Sequence, residues 1–222
     1  SYDATTEALL RKHGILHHAA DPNSHEDRLP SFSKSERNIA SSQALIILPR
    51  TQLDDLNFQK QLYSAARIDE ELAFDLNLAI QGGALSLLSI HSQNYVDGGY
   101  MRQPMSKYLG RLTTLKDRLW IARGDQIASW WRKRESVEVK SSPQESGVLM
   151  QISVPGPDPV EGLTVVAVHP FKDAAPVVTD RNGHAVKVRL RNLDSFRSAL
   201  IFEKLGAGTF EYLVRFALKK EG

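Results

Sequence analysis

The sequence predicts an α/β protein whose residues 1–135 alternate helices with short apolar strands and whose residues 136–222 form a small antiparallel β-sandwich. Three observations lead there. Up to Glu135, short apolar runs bounded by turn residues alternate with helical-period segments, which is the rhythm of parallel strands with helical crossovers, in a barrel or a doubly wound sheet. Beyond Glu135 the helical period stops, and short strand-like segments follow one another. Turn sequences such as Pro155-Gly156-Pro157-Asp158 and Asn182-Gly183 separate them. With 222 residues, 41% of them hydrophobic, the chain can bury a core in one or two domains.

Asp3, Thr5 or Thr6 caps a first helix that runs to about His13, where Gly14 stops it. Ile15–Ala20 follows as a strand. Asp21–Ser42 is a polar excursion with Pro22, Asn23 and Pro30, and so long a connection in a compact domain is more often functional than idle. Ala44–Leu48 is a buried strand ended by Pro49, and Thr51–Ala66 is mixed in character. Ile68–Gln81 repeats apolar residues at Leu72, Leu76 and Ile80 and is a helix. Gly82 and Gly83 close it.

The stretch Ala84–Asn94 reads Ala-Leu-Ser-Leu-Leu-Ser-Ile-His-Ser-Gln-Asn. Its apolar part has the look of a strand buried on both faces, and its polar end falls where the strand leaves the sheet. In α/β folds chemistry gathers at the carboxyl ends of strands, which makes His91 a candidate, against the plainer reading of a hydrogen bond within a loop. Pro104 then suits the first turn of a helix carrying Met105, Tyr108, Leu109, Leu112 and Leu115. Leu119–Ala122 is a further short strand. Asp125 can cap a last helix with Ile127, Trp130 and Trp131, which turns basic at Arg132–Arg134 as a helix C-terminus favours. The sandwich strands are expected at 136–140, 147–154, 163–169, 184–190, 199–203 and 209–218.

Composition removes several classes of function. Zero cysteines exclude disulfides, thiolate catalysis and Cys-type zinc sites. A net charge of +2 is too small to argue for nucleic acid, and no Arg/aromatic pattern of an RNA-binding sheet is present. There is no apolar run of membrane-spanning length and no secretory leader pattern, and a first residue of Ser1 suggests a chain processed or cut from something longer. No nucleophile elbow, P-loop or dinucleotide fingerprint occurs.

The histidines offer weaker alternatives. His13 and His17 have the spacing of a helical metal pair, but Gly14 lies between them. His17, His18, Asp21 and His25 could bind a divalent ion, although adjacent histidines on a strand point to opposite faces. His169 and His184 are expected on the sandwich surface. Asp54-Asp55 reads either as paired carboxylates or, more simply, as a helix N-terminal signal. Trp130 and Trp131 could stack on a sugar, or contribute to a core.

Leu85-Ser-Leu-Leu-Ser-Ile-His91, together with Leu119-Trp-Ile-Ala-Arg-Gly-Asp-Gln-Ile-Ala-Ser-Trp-Trp-Arg132, resembles the closing part of the NodB-like polysaccharide deacetylases, carbohydrate esterase family four. The segment from Tyr2 to Ile15 is similar to the helix and strand just after that family's Arg-Pro-Pro block. The resemblance spans about residues 1–135. It implies that these residues are the C-terminal part of a distorted (β/α) barrel that removes acetyl groups from an N-acetylated glycan, with 136–222 as an accessory sandwich. It further implies a divalent metal, as a rule zinc, held by an aspartate and two histidines. Those ligands are expected upstream of Ser1, on a segment or second chain that completes the barrel. His91 matches the histidine that protonates the departing amine, and Leu88 and Ile90 match the residues lining the acetyl pocket. The loop carrying Asp21 and Asp27 would border the sugar groove, with Trp130 as a further sugar contact. A glycan substrate of this kind implies an extracellular or periplasmic location. The sequence departs from the pattern in that His13-Gly-Ile-Leu-His17 and Arg28-Leu-Pro30 imitate family motifs at the wrong places in the fold. The alternative is a non-catalytic glycan-binding or scaffolding module without the metal site.

Overall fold

A computed structural model describes residues 3–20, 28–33, 44–51 and 54–218. The chain divides into two compact units, Ser1–Ser129 and Trp130–Gly222. In the first, helix α1 (Ala4–Lys12) begins at Asp3, whose carboxylate accepts the Thr6 N–H at 2.9 Å, and gives way at Gly14, which takes a φ of +71°. Strands β1 (His17–Ala20), β2 (Ser31–Phe32) and β3 (Ile46–Pro49) form a sheet in the order β1-β3-β2. β3 runs parallel to β1, as the α/β rhythm requires, and antiparallel to β2, a short strand inside the excursion read as loop. Leu45, Ile46 and Leu48 bury this sheet.

Helix α2 (Asp55–Lys60) is capped by Asp54, which accepts the Asn57 N–H at 2.8 Å. Helix α3 (Ala65–Gly82) starts on the Ser64 hydroxyl and stops at Gly83, whose φ of +65° is the left-handed cap that glycine adopts without strain. Helix α4 (Arg102–Thr114) holds Pro104 in its first turn, where the missing N–H costs nothing. α3 and α4 pack through Ile68, Leu72, Leu76, Ile80, Met105 and Tyr108, with Phe58 of α2 and Met101 in the same cluster. Helix α5 (Gly124–Ser136) contains the division between the units, ahead of the boundary expected at Glu135.

Two expected strands do not form. Residues 84–91 take no regular secondary structure and join no sheet, and 119–122 likewise. Half-burial of 84–89, with Ile90 40% exposed, replaces the expected burial on both faces. Three N–H groups along this segment find partners distant in the chain instead of a neighbouring strand. Leu85 donates to the Arg28 carbonyl at 2.9 Å, Leu87 to the Thr51 hydroxyl at 3.0 Å and His91 to the Asp55 carboxylate at 2.9 Å. Such acceptors, one main-chain and two side-chain, satisfy a backbone N–H as well as a ladder would. At 119–122 the apolar character is spent on exposure, with Trp120 59% and Ile121 64% accessible. Among the described residues the first unit is thus mixed α/β and closes no barrel.

The second unit is β-rich. β4 (Glu138–Gln144), β5 (Gly147–Val154), β10 (Gly208–Leu218) and β7 (Ala174–Asp180) form one sheet in the order β4-β5-β10-β7. β6 (Val160–Val168), β9 (Arg197–Leu205) and β8 (Arg189–Asp194) form another, in the order β6-β9-β8. All pairs are antiparallel. Met150, Ile152, Val178, Tyr212 and Val214 from the first sheet meet Val160, Leu163, Leu200, Phe202 and Leu205 from the second in one core. β7 escaped the sequence reading because Ala-Ala-Pro suggests loop. As an edge strand it tolerates Pro176, and β4 at the opposite edge tolerates Pro143. The strand expected from His184 begins only at Arg189, since 184–186 folds back on the end of β7 through the Val186 N–H to Val178 carbonyl bond of 3.0 Å.

His169, expected on the surface, is buried. Its Nε2 lies 2.9 Å from the Ser198 hydroxyl and its ring 5.6 Å from that of Phe216. His184 is exposed as expected, beside Asp180. Gly147 has a φ of +152°, and a Cβ there would fall 2.3 Å from the Val214 carbonyl oxygen. Gly147→Ala should therefore lower the unfolding free energy by at least ~1 kcal/mol. An unchanged denaturant midpoint would show that the β5–β10 contact can relax.

Candidate functional site

The side chain that organises the end of the 84–91 segment is Asp55, in the first turn of α2. It is 0% exposed, and such a carboxylate needs partners for every lone pair it keeps from water. One oxygen accepts the His91 backbone N–H at 2.9 Å and the Asn94 side-chain amide at 2.6 Å. The other lies 2.7 Å from His91 Nδ1 and accepts the Leu56 N–H at 3.1 Å. The Tyr100 hydroxyl donates to the Asp55 carbonyl oxygen. One carboxylate thus grips both the backbone and the ring of residue 91.

Burial pushes the Asp55 carboxyl up, but the hydrogen bonds from Asn94 and His91 outweigh it and hold the group below the ordinary value of 3.8. Burial first, and then the charges of Asp55 and Asp54, push the Tyr100 phenol up, so it stays a donor. An ionised carboxylate can only accept, which assigns a proton to His91 Nδ1 and leaves Nε2 as the reactive nitrogen. The His91 side chain is 41% exposed, so a partner in solution can reach it. A buried acid, an oriented imidazole and an open ring edge can take up a proton at Nε2 and deliver it to a bound group.

A depressed carboxyl contributes stability above its unfolded value and loses it as acid protonates the folded form. The excess stability of the wild type over Asp55→Asn should therefore persist at neutral pH. It should shrink only as pH falls below about 4, through the depressed folded value. Denaturant titrations of both proteins in steps below that pH test this, and a difference that grows with acid contradicts it.

The other sequence candidates scatter. Leu88 packs against the α2–α3–α4 cluster and serves the core, while Ile90 is exposed beside His91. Asp21, Asp27 and His25 lie outside the described residues. Trp130 belongs to the second unit, where its indole N–H donates to the Glu161 carbonyl at 2.8 Å, and Trp131 lies under the Arg134 guanidinium at 4.6 Å. His13 caps α1 and His17 sits in β1, so the two share no helix face. The His17 ring abuts Gly124, where a Cβ would come within 3.2 Å of Nε2. Among the described residues no three His, Asp or Glu side chains converge as a metal requires. No described helix is long and apolar enough to cross a membrane.

Asp55 was visible only as one half of the Asp54-Asp55 doublet. Asp54 does cap α2, as the simpler reading holds, and Asp55 turns inward to His91. Asn94 stood in the polar end of the stretch without a role, and Tyr100 carried no signal. Comparison with known protein families, with curated proteins and with solved structures finds no match.

Proposed function

We propose that this chain supplies the acid-donating half of a glycan de-N-acetylase of the NodB-like type, with the described α/β residues as part of a (β/α) barrel that further polypeptide completes. The observation that carries the reading is the Asp55–His91 pair at the end of the 84–91 segment, where the resemblance asks for a proton donor. Hydrolysis of an N-acetyl group adds water across the amide. The carbon–nitrogen bond breaks, acetate leaves, and the nitrogen must collect a proton to depart as an amine. His91 in its imidazolium form delivers that proton from Nε2, and the buried Asp55 carboxylate stabilises the cation before transfer. The neutral ring then keeps its proton on Nδ1 and recovers the other from water.

The described residues do not form a metal-ligand set, so no step here runs through the metal that such an enzyme carries. The reading requires those ligands on polypeptide outside the described residues. The test is acetate release from N-acetylglucosamine oligomers by the complete natural polypeptide supplied with zinc. Sustained release is expected. If glycans bind without acetate accumulating, the chain is a non-catalytic glycan-binding module instead.

A further inference from the structure

The outer face of the four-stranded sheet holds a second polar constellation, away from the core of the sandwich. Leu149, Leu213 and Thr179 are successive cross-strand neighbours on β5, β10 and β7. They form the floor of an open cleft of about 420 Å³, with Gln144 at one rim and the Asp180–Gly183 turn at the other. Arg215, two residues beyond Leu213 and on the same side of β10, stands at its end.

The lining holds one carboxylate, Asp180, and two guanidinium groups, Arg181 and Arg215. Both Asp180 oxygens already accept, from the Asn182 and His184 N–H groups at 2.8 and 2.9 Å and from the His184 ring at 3.2 Å. Arg181 is paired with Glu211, which also accepts from Gln151 at 3.1 Å. Arg215 alone of the lining charges has no ion-pair or hydrogen-bond partner among the described residues.

We infer that this cleft binds a carboxylate-bearing sugar of the hexuronic acid class. Arg215 takes the carboxylate, the Leu149–Leu213 floor takes the C–H face of the ring, and the side chains of Gln144 at one rim and Asn182 at the other meet its hydroxyls. An unpaired guanidinium offers the bidentate geometry that suits a carboxylate. A narrow apolar floor edged by amide groups suits a ring with one apolar face and a polar circumference. The inference rests on the second unit alone and stands whether or not His91 is catalytic.

The experiment titrates the whole chain with D-glucuronate by calorimetry, with amide NMR shifts locating the site. D-glucose and acetate run in parallel, and Arg215→Gln is the variant. Arg215 is exposed, so Arg215→Gln should unfold at the wild-type denaturant midpoint. Saturable glucuronate binding is expected, with shifts at Leu149, Thr179 and Leu213. Glucose, acetate and glucuronate on Arg215→Gln should each bind at least ~10-fold more weakly, and raised salt should weaken wild-type binding. Absence of saturable binding overturns the proposal, as does glucose or acetate binding equal to glucuronate. Undiminished binding by Arg215→Gln overturns it too.

Discussion

His91→Ala in the complete polypeptide should lower the rate of acetate release by about 10²–10⁴-fold, the span that a positioned general acid contributes. The fold should survive. The His91 side chain is 41% exposed, and after its removal Asp55 still accepts from the residue 91 backbone and from Asn94. Asp55→Asn asks the sharper question. An asparagine keeps the shape of the buried side chain, but its amide can donate to Nδ1. That moves the imidazole proton to Nε2 and removes the charge that stabilises the cation. Turnover should then fall almost as far as in His91→Ala, while binding of the oligomer changes little. A similar rearrangement of ring tautomer accompanies loss of the aspartate in serine-protease triads. Rates near wild type in both variants, with circular dichroism unchanged, would remove His91 from the chemistry.

Phe58→Ala should be the most damaging single change to the first unit, with a loss of about 3–5 kcal/mol for an aromatic side chain deleted from a core. Phe58 is 1% exposed, and its ring lies 5.9 Å from that of Tyr63. α2, which carries it, spans only Asp55–Lys60. A helix so short has no stability of its own and is held by what it packs against. Phe58 is therefore the anchor that keeps Asp55 under His91, and its loss should reduce unfolding free energy and turnover together. Phe58→Leu, which keeps much of the volume, should cost under ~1.5 kcal/mol and retain most of the rate. Urea unfolding followed by tryptophan fluorescence and amide exchange distinguishes the first unit from the sandwich. Equal stability of Phe58→Ala and wild type would mean that α2 is held by its cap alone.

How far the sequence carried depended on whether the deciding interaction was local. α3 was legible because Leu72, Leu76 and Ile80 repeat at helical period ahead of a glycine stop, while its serine cap at Ser64 went unread. β5 was legible because a short apolar-rich run lies between turn residues. The 84–91 segment misled because apolar composition states how much a stretch can bury, whereas its hydrogen-bond partners come from Arg28, Thr51 and Asp55, far away in the chain. β7 was hidden by Pro176, whose tolerance depends on lying at an edge, a fact of topology. For the site, His91 stood out through its place at the end of an apolar run. Its partner did not, because nothing local tells which of two adjacent aspartates caps a helix and which turns inward. The surface reading of His169 failed for the same reason, since Ser198 reaches it only through the folded sheet.

The two edge prolines have a consequence for assembly. A four-stranded sheet with Pro143 along one margin and Pro176 along the other presents broken rows of donors to any strand that would extend it. At the β7 margin the returning segment 184–186 occupies part of what is left. Growth of this sheet sideways is disfavoured where the prolines lie, which leaves its broad outer surface as the readier place to recruit a partner.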